Sequence, residues 1–326
     1  VNLKGSRILV TGGAGVVGSH TVDQLVAKGV DEIVVLDNFI RGTRENLEWA
    51  TEHGNVRVVA GDIRDRALLK ELFQEIDLVC HLAAIRITLC ADQPREALEV
   101  LVDGTFNVLE AAVEAKVKKV IVSSSASVYG TADEFPTKES HHLYNNRTLY
   151  GACKIANEQM VKAFYDMYGL DYLILRYFNV YGPRMDIFGR YTEVLIRWLD
   201  CIDAGEPPVV FGDGEQCLDF TYVSDIARAN ILAMERDITD HIFNIGTGFA
   251  TSLNMLLSML LAFTRSDLHP IYQPERKVGA IRHRRASTKK AAEMLRFRTN
   301  VTLHSGLQQL ISWRKQMLIL KGYVAE

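Results

Sequence analysis

A turn of glycines wedged between a strand and a helix narrows the possible folds more than anything else in the chain. Residues 11–18 read Thr-Gly-Gly-Ala-Gly-Val-Val-Gly. They follow the apolar run 7–11 and open a segment in which Val17, His20, Thr21, Gln24, Leu25 and Lys28 recur at helical spacing. Glycines in such a turn serve three purposes. One permits the tight reversal, one lets backbone N–H groups approach a pyrophosphate, and one allows the helix to pack closely on the strand. The helix N-terminus then faces the anion.

The rest of the N-terminal half keeps the same rhythm. Short β-branched runs fall at 7–11, 32–37, 56–60, 78–82, 120–124 and 172–176, with helical patterns between them. Alternation at this pace predicts parallel strands joined by crossover helices, a doubly wound α/β sheet. The runs are continuously apolar, as in Ile33-Val34-Val35-Leu36, which fits strands covered by helices on both faces. Two helices are expected to be long: 94–116, opened by Pro94, and 150–168, closed by Gly169. After about Tyr177 the rhythm loosens, and helical patterns return at 191–204, 224–235, 252–264 and 303–318. The expectation is a cofactor-binding domain over 1–180 and a smaller α/β substrate-binding portion over 181–326, partly interleaved, with a cleft between them. A length of 326 residues fits one large domain or two joined ones.

Composition excludes several classes. With 37 basic and 40 acidic residues the net charge is −3, which rules out a globally basic nucleic-acid binder. The longest apolar stretch near the C-terminal end, 255–263, is interrupted by Ser258 and too short for a bilayer, so no membrane association is expected. Residues 1–7 run straight into a strand pattern, and no signal peptide is expected. Cys80, Cys90, Cys153, Cys201 and Cys217 are scattered without a CxxC pair. That pattern points to reduced thiols and a cytoplasmic location rather than to a zinc or disulfide framework. His141-His142 has no third ligand at metal spacing and reads as part of a polar surface loop, so no metal is expected.

The cofactor reading rests on more than glycine. Asp37 follows Gly18 by 19 residues, at the end of the second run, where a carboxylate can hold an adenosine ribose. It would repel a 2′-phosphate, so the cofactor is read as NAD, with NADP kept open by Arg41 and Arg44. Asp62-Ile63, just after the third run, are placed to meet the adenine. Tyr150 and Lys154 stand four apart at the start of a long helix, hence on one face. A nearby ammonium favours phenolate over phenol, and a positive nicotinamide ring would push the same way. A tyrosine so tuned can act as a general base near neutral pH. Ser123-Ser124-Ser125-Ala126-Ser127 ends the fifth run, at the sheet edge where ligands bind in doubly wound folds.

Taken with His81-Leu82-Ala83-Ala84, Gly104-Thr105-Phe106-Asn107 and Arg176-Tyr177-Phe178-Asn179-Val180-Tyr181-Gly182-Pro183, these residues make the chain resemble the extended short-chain dehydrogenase/reductase superfamily, in its nucleotide-sugar epimerase/dehydratase branch. The resemblance covers nearly the whole length, and the Ser-Ser-Ser-Ala-Ser-Val-Tyr-Gly stretch is most similar to the 4-epimerases of UDP-glucose and its relatives. It implies a Rossmann-type fold and a homodimer built on the helices 94–116 and 150–168. It implies NAD held by Gly12, Gly15, Val16, Val17, Gly18, Asp37, Asn38, Asp62, Ile63, Leu82, Ala83 and Ala84, together with Tyr150 and Lys154. Ser125 would bond the sugar O4, Tyr150 would be the base, and Lys154 would tune it and anchor the nicotinamide ribose. The partner implied is a UDP-sugar, contacted by Arg86, Ser125, Ser127, Asn179, Arg190, Val209, Phe211, Arg282 and Arg284. In the implied reaction Tyr150 takes the O4 proton while hydride passes from C4 to NAD⁺. The 4-keto sugar then turns over in the pocket and recovers the hydride on its other face.

Residues 126 and 127 separate this chemistry from its siblings. The 4,6-dehydratases of the branch carry Asp then Glu there, and the decarboxylases a glutamate before Val-Tyr-Gly, whereas this chain has Ala126 and Ser127. Water elimination needs an acid for the leaving hydroxyl, and neither side chain is one. Chemistry confined to C4 is favoured; a UDP-uronate decarboxylase, another nucleotide-sugar oxidoreductase or a non-catalytic dinucleotide sensor are the alternatives. The second half departs from the branch. Leu218 stands where many members carry an arginine for the diphosphate, and residues 276–280 only partly echo the element that holds the nucleotide ribose. Arg184, Arg190, Arg282, Arg284 and Arg285 are the candidates to compensate, since a guanidinium fork suits phosphate or carboxylate. If one of them reads a C6 carboxylate, the substrate is a UDP-uronate such as UDP-glucuronate rather than UDP-glucose. Phe211 is the aromatic placed against the uracil.

Overall fold

Six strands of the central sheet form where the apolar runs predict them: β1 (Arg7–Thr11), β2 (Glu32–Asp37), β3 (Val56–Ala60), β4 (Leu78–His81), β5 (Lys119–Ser125) and β6 (Tyr172–Tyr177). The computed structural model describes residues 3–189, 193–275 and 281–323; Arg190 and residues 276–280 lie outside them. A seventh strand, His241–Ile245, joins the sheet from far along the chain. The order is His241–Ile245, β6, β5, β4, β1, β2, β3, and every neighbouring pair is parallel. This is a Rossmann-type α/β sheet. Its order reverses at β1, which lies between β2 and β4, and a crevice opens at such a point beyond the carboxyl ends of the strands.

Eleven helices surround the strands: α1 (Val16–Ala27), α2 (Glu48–His53), α3 (Arg66–Leu72), α4 (Ile87–Asp92), α5 (Pro94–Leu98), α6 (Gly104–Glu114), α7 (Leu149–Tyr168), α8 (Val194–Asp203), α9 (Val223–Glu235), α10 (Leu253–Thr264) and α11 (Leu303–Leu320) among the described residues. Val22 and Leu25 of α1, with Ile226 and Ala229 of α9, close over Ile8, Val10, Ile33 and Val35 on one face. On the other, Leu69 of α3, Val108 and Leu109 of α6 and Val161 of α7 cover Leu9, Val34, Val79 and Val120. Alternate residues of one strand therefore serve two cores, which is why the runs read as unbroken apolar stretches. Each such side chain contributes about 1.5–3 kcal/mol by leaving water. A third core joins Trp198 of α8 and Leu256 and Leu260 of α10 to Leu307 and Leu310 of α11. Beside it runs a small sheet in which Cys217–Leu218 lies between Thr251–Ser252 and His283–Arg284.

The helix expected over 94–116 is not continuous. A wide π-type turn, Glu99–Asp103, separates α5 from α6 and inserts one extra residue, resetting which face is buried. The second long helix forms as expected. Thr148 starts α7 by accepting a hydrogen bond from the Gly151 N–H (3.1 Å), and Gly169 ends it at φ +72. The part after residue 180 is interleaved with the part before it, since α9 packs on α1 and His241–Ile245 pairs with β6. Among the described residues no helix is long and apolar enough to cross a membrane.

Candidate active site

At the carboxyl end of β1 the glycine turn is built by close approach. Gly12 has φ +69, and a Cβ there would lie 2.7 Å from the Ala83 nitrogen, while a Cβ on Gly18 would lie 2.1 Å from the Gly12 oxygen. α1 begins at Gly15 with no side chain bonded to its first turn and no acidic residue within it. Its N–H groups and the positive end of its dipole are thus left to an anion. A cavity of about 250 Å³ extends from this point. Gly12, Gly15, Val16, Val17, Gly18, Asp37, Asn38, Asp62, Ile63, Leu82, Ala83 and Ala84 all line it, so the residues singled out for a dinucleotide come together. Ile40, Arg41, Glu96, Val100, Arg184 and Asp186 also line the wall, and of these six only Arg41 and Arg184 carried any signal in the sequence.

Charge in the cavity is arranged by hydrogen bonding. Asp37 is nearly buried and accepts bonds from the N–H groups of Ala14 and Phe39, both at 2.9 Å, which pins its carboxylate at the end of β2. Hydrogen bonds from Arg64, with a further one from Asn38, hold Asp62 down at about 2, so it is an anion at neutral pH. Arg44 lies over the Phe39 ring. Arg41 is pushed down to about 10, first by burial and then by Arg86, with Asp186 and Glu193 opposing. Arg86 itself begins α4 and lies 3.8 Å from Glu193. An uncapped helix end for a diphosphate and two carboxylates for ribose and base form a donor set that fits NAD.

Tyr150 and Lys154 do not line that cavity; they meet the end of β5. Lys154 donates from Nζ to the Ser123 carbonyl (2.8 Å), and its ammonium lies 5.9 Å from the Tyr150 ring centroid. The Ser125 hydroxyl bonds the Tyr150 phenol and accepts the Ser127 N–H (3.1 Å). Ser127 is buried, and Ser124 turns inward to donate to Glu158 (2.5 Å). Glu158 in turn holds Arg176 through Nε (2.8 Å) and Nη2 (2.6 Å), and Arg176 donates to the Tyr129 hydroxyl (2.8 Å). His81 is buried between the hydroxyls of Thr11 (2.7 Å) and Thr105 (3.0 Å); burial drives it down to about 3 and keeps it neutral.

The tuning of Tyr150 differs from the expectation. Burial pushes the phenol up to about 12, against the Ser125 hydrogen bond and the charge of Arg284, while Cys90 and Glu193 push it further up. Lys154 is itself brought down to about 8 by burial, with Glu158 opposing. In the protein alone desolvation outweighs the neighbouring ammonium, and the cation that favours phenolate is Arg284 rather than Lys154.

The substrate-side candidates divide. Arg282 forms an ion pair with Asp213 (2.7 Å), both largely exposed, and Arg184 pairs with Asp23 (2.8 Å). Arg284 has no carboxylate within ion-pair distance among the described residues, and burial brings it down to about 10. It pairs in register with Leu218, so its guanidinium side chain starts beside the position of the missing arginine. Asn179 donates to the Asp219 carbonyl (3.0 Å), and the buried Asp219 carboxylate fixes the turn at Thr247, Gly248 and Ala286. Val209 accepts from Trp198 Nε1 (2.8 Å) and Phe211 from Gln216 (2.8 Å), so the Val209–Phe211 strand is held by its carbonyls.

A dinucleotide-type crevice beside a serine–tyrosine–lysine cluster defines the site of a nucleotide-cofactor enzyme on a Rossmann-type sheet. Residues 8–246 match the NAD dependent epimerase/dehydratase family, and the chain belongs to it. NAD is its cofactor. The chain is 35% identical to a UDP-N-acetyl-alpha-D-glucosaminuronate decarboxylase of Bacillus cytotoxicus, over 95% of this chain and 98% of that protein. It is also similar to the UDP-glucose 4-epimerase of Thermotoga maritima solved with UDP-glucose, with a TM-score of 0.90, 35% identity and coverage of 96% and 99%. MoeE5, solved with UDP-glucuronic acid and NAD, gives a TM-score of 0.86 at 33% identity, covering 96% of this chain and all of that one (100%).

Proposed function

We propose that this enzyme epimerises a UDP-sugar at C4, and that the sugar is a uronate such as UDP-glucuronate. The observation that carries the reading is Arg284, a partly buried guanidinium without a carboxylate partner among the described residues, whose charge acts on the Tyr150 phenol. A C6 carboxylate lies one carbon beyond C5 and would supply the missing counter-ion; a guanidinium fork fits it in two-point fashion. When bound, NAD supplies the two-electron acceptor and donor at C4 and a positive ring beside Tyr150. Ser125 orients O4, Tyr150 takes and returns its proton, and Lys154, fixed on the Ser123 carbonyl, holds the nicotinamide ribose. Ala126 and Ser127 offer no acid toward C5 or C6, which keeps the chemistry at C4. The aromatic ladder Phe106–Phe164–Tyr168 across α6 and α7, with Leu98, Phe106, Met167 and Tyr168 exposed, supports a homodimer through these helices.

Decarboxylation of the same uronate is the second reading, favoured by Arg284 and by the likeness to the Bacillus protein. One experiment separates the two. The purified protein, without added cofactor, is incubated with UDP-glucuronate, UDP-glucose and UDP-N-acetylglucosamine, and products are followed by NMR. Conversion of UDP-glucuronate to its galacto isomer without build-up of reduced cofactor supports epimerisation. A UDP-pentose with loss of carbon dioxide supports the second reading, and no turnover of any of the three overturns both. Arg284→Met should lose the uronate far more than UDP-glucose.

A further inference from the structure

Between Tyr129 and α7 the chain makes a polar loop, residues 131–148, that contributes nothing to the cavity described above. His141-His142 lacks a third ligand nearby in sequence, but the fold brings Asp133 to both rings. Asp133 Oδ1 lies 2.6 Å from His141 Nε2 and Oδ2 lies 3.2 Å from His142 Nε2. One donor atom from each of the three side chains falls within 4.8 Å of the others.

The hydrogen bonds around the cluster say what it lacks. His141 Nδ1 lies 2.7 Å from the His142 carbonyl, which can only accept, so Nδ1 carries the proton. Nε2 is aimed at Asp133, 2.6 Å from its Oδ1 and 3.3 Å from its backbone nitrogen, and is the atom through which this ring meets the carboxylate. The hydrogen bonds from both rings hold the Asp133 carboxyl below its usual range, and a cation entering the cluster would take the place of the protons in them. A histidine that donates its second nitrogen to a carbonyl while offering the first to a cluster has the arrangement of a metal ligand with its supporting bond in place. Both rings are also held before any ligand arrives. His141 sits edge-on to Tyr129 at 5.8 Å, and His142 stacks on Tyr144 at 5.1 Å. Asp133 is exposed and leaves an entry path from solvent.

We propose that Asp133, His141 and His142 bind one divalent transition cation of the zinc type. Two imidazoles and one carboxylate suit such an ion better than magnesium or calcium, which prefer all-oxygen shells. Around a tetrahedral ion neighbouring ligand atoms stand roughly 3.2–3.5 Å apart. The His142 contact, to Oδ2, already has that spacing, and the His141 contact, to Oδ1, needs to open by roughly 0.6–0.9 Å. The same loop is sewn to the strand that carries Arg284. Thr137 donates to the Arg285 carbonyl and accepts from Ser287, both at 2.8 Å, and Phe135 packs on His283 at 4.3 Å. A cation here braces the wall of the substrate site from outside without touching the reacting atoms.

The test uses tag-free, EDTA-dialysed full-length protein titrated with zinc chloride, by calorimetry and by competition with a chromophoric chelator. One equivalent should bind, with a rise in melting temperature. Asp133→Asn and His142→Gln, both at accessible positions, should weaken binding by roughly tenfold or more and abolish the thermal shift. His53→Gln, at the end of α2 and outside this loop, should change neither. Zinc binding with unaltered affinity in both Asp133→Asn and His142→Gln would overturn the proposal, as would failure of the wild-type protein to take up one equivalent.

Discussion

Replacing Glu158 with glutamine tests the support beneath the candidate active site. Glu158 and Arg176 are both nearly inaccessible, 0% and 2% exposed, and pair through two short bonds. The substitution keeps an acceptor for Ser124 but leaves the Arg176 guanidinium without a counter-charge. Breaking a buried pair from one side costs about 3–5 kcal/mol, because the remaining ion is desolvated and uncompensated. Urea unfolding at pH 7.5 should therefore show a loss of that size for Glu158→Gln. The double variant Glu158→Leu with Arg176→Met removes both charges and should recover about 2 kcal/mol or more of it. Glu158 also opposes the fall in Lys154, so in the single variant Lys154 should drop below about 8. A loss under about 1 kcal/mol in Glu158→Gln, or a double variant as unstable as the two single losses added, would refute the reasoning.

Three further outcomes can be checked with routine assays. Tyr150→Phe should retain bound NAD, read by absorbance after acid release, and lose most activity; normal turnover would mean another group is the base. On the proposed mechanism Tyr150 acts deprotonated; because it starts from about 12 in the protein alone, rate should rise with pH, and Arg284→Met, which removes a cation favouring phenolate, should shift that rise to higher pH on UDP-glucose. Gly18→Ala forces a Cβ against the Gly12 oxygen; overpacking of about 1–3 kcal/mol should appear as roughly 5- to 150-fold weaker NAD binding by titration. Phe106→Glu, which buries a charge in the aromatic ladder of the proposed dimer face, should shift the protein toward monomer in sedimentation, and an unchanged mass would argue against that face.

The cofactor side was legible because its parts are contiguous. Glycine turn, Asp37 and Asp62 each end a strand whose apolar run is visible, and parallel pairing places those ends side by side. The His241–Ile245 strand was not legible, because Asn244 interrupts the run; in the fold it is buried and bonded to Tyr129 (2.6 Å) and Thr137 (2.9 Å). The proposed substrate side draws on segments about 65 residues apart, Leu218 and Arg284, whose register no local pattern encodes. The Tyr150–Lys154 spacing correctly announced one helical face. It said nothing of how deeply that face would be buried, and desolvation is what sets the phenol.

The interleaving at the sheet edge has a consequence for how such a protein can be taken apart. A chain cut after residue 180 would uncover the whole length of β6, an inner strand with no edge protection, and would strip α9 from α1, the helix that presents its N-terminus to the cofactor. The part after residue 180 is thus no detachable cassette. Any chimaera that exchanges sugar preference has to carry residues 223–245 with the cofactor half, and leave the two strands bearing Leu218 and Arg284 to travel together.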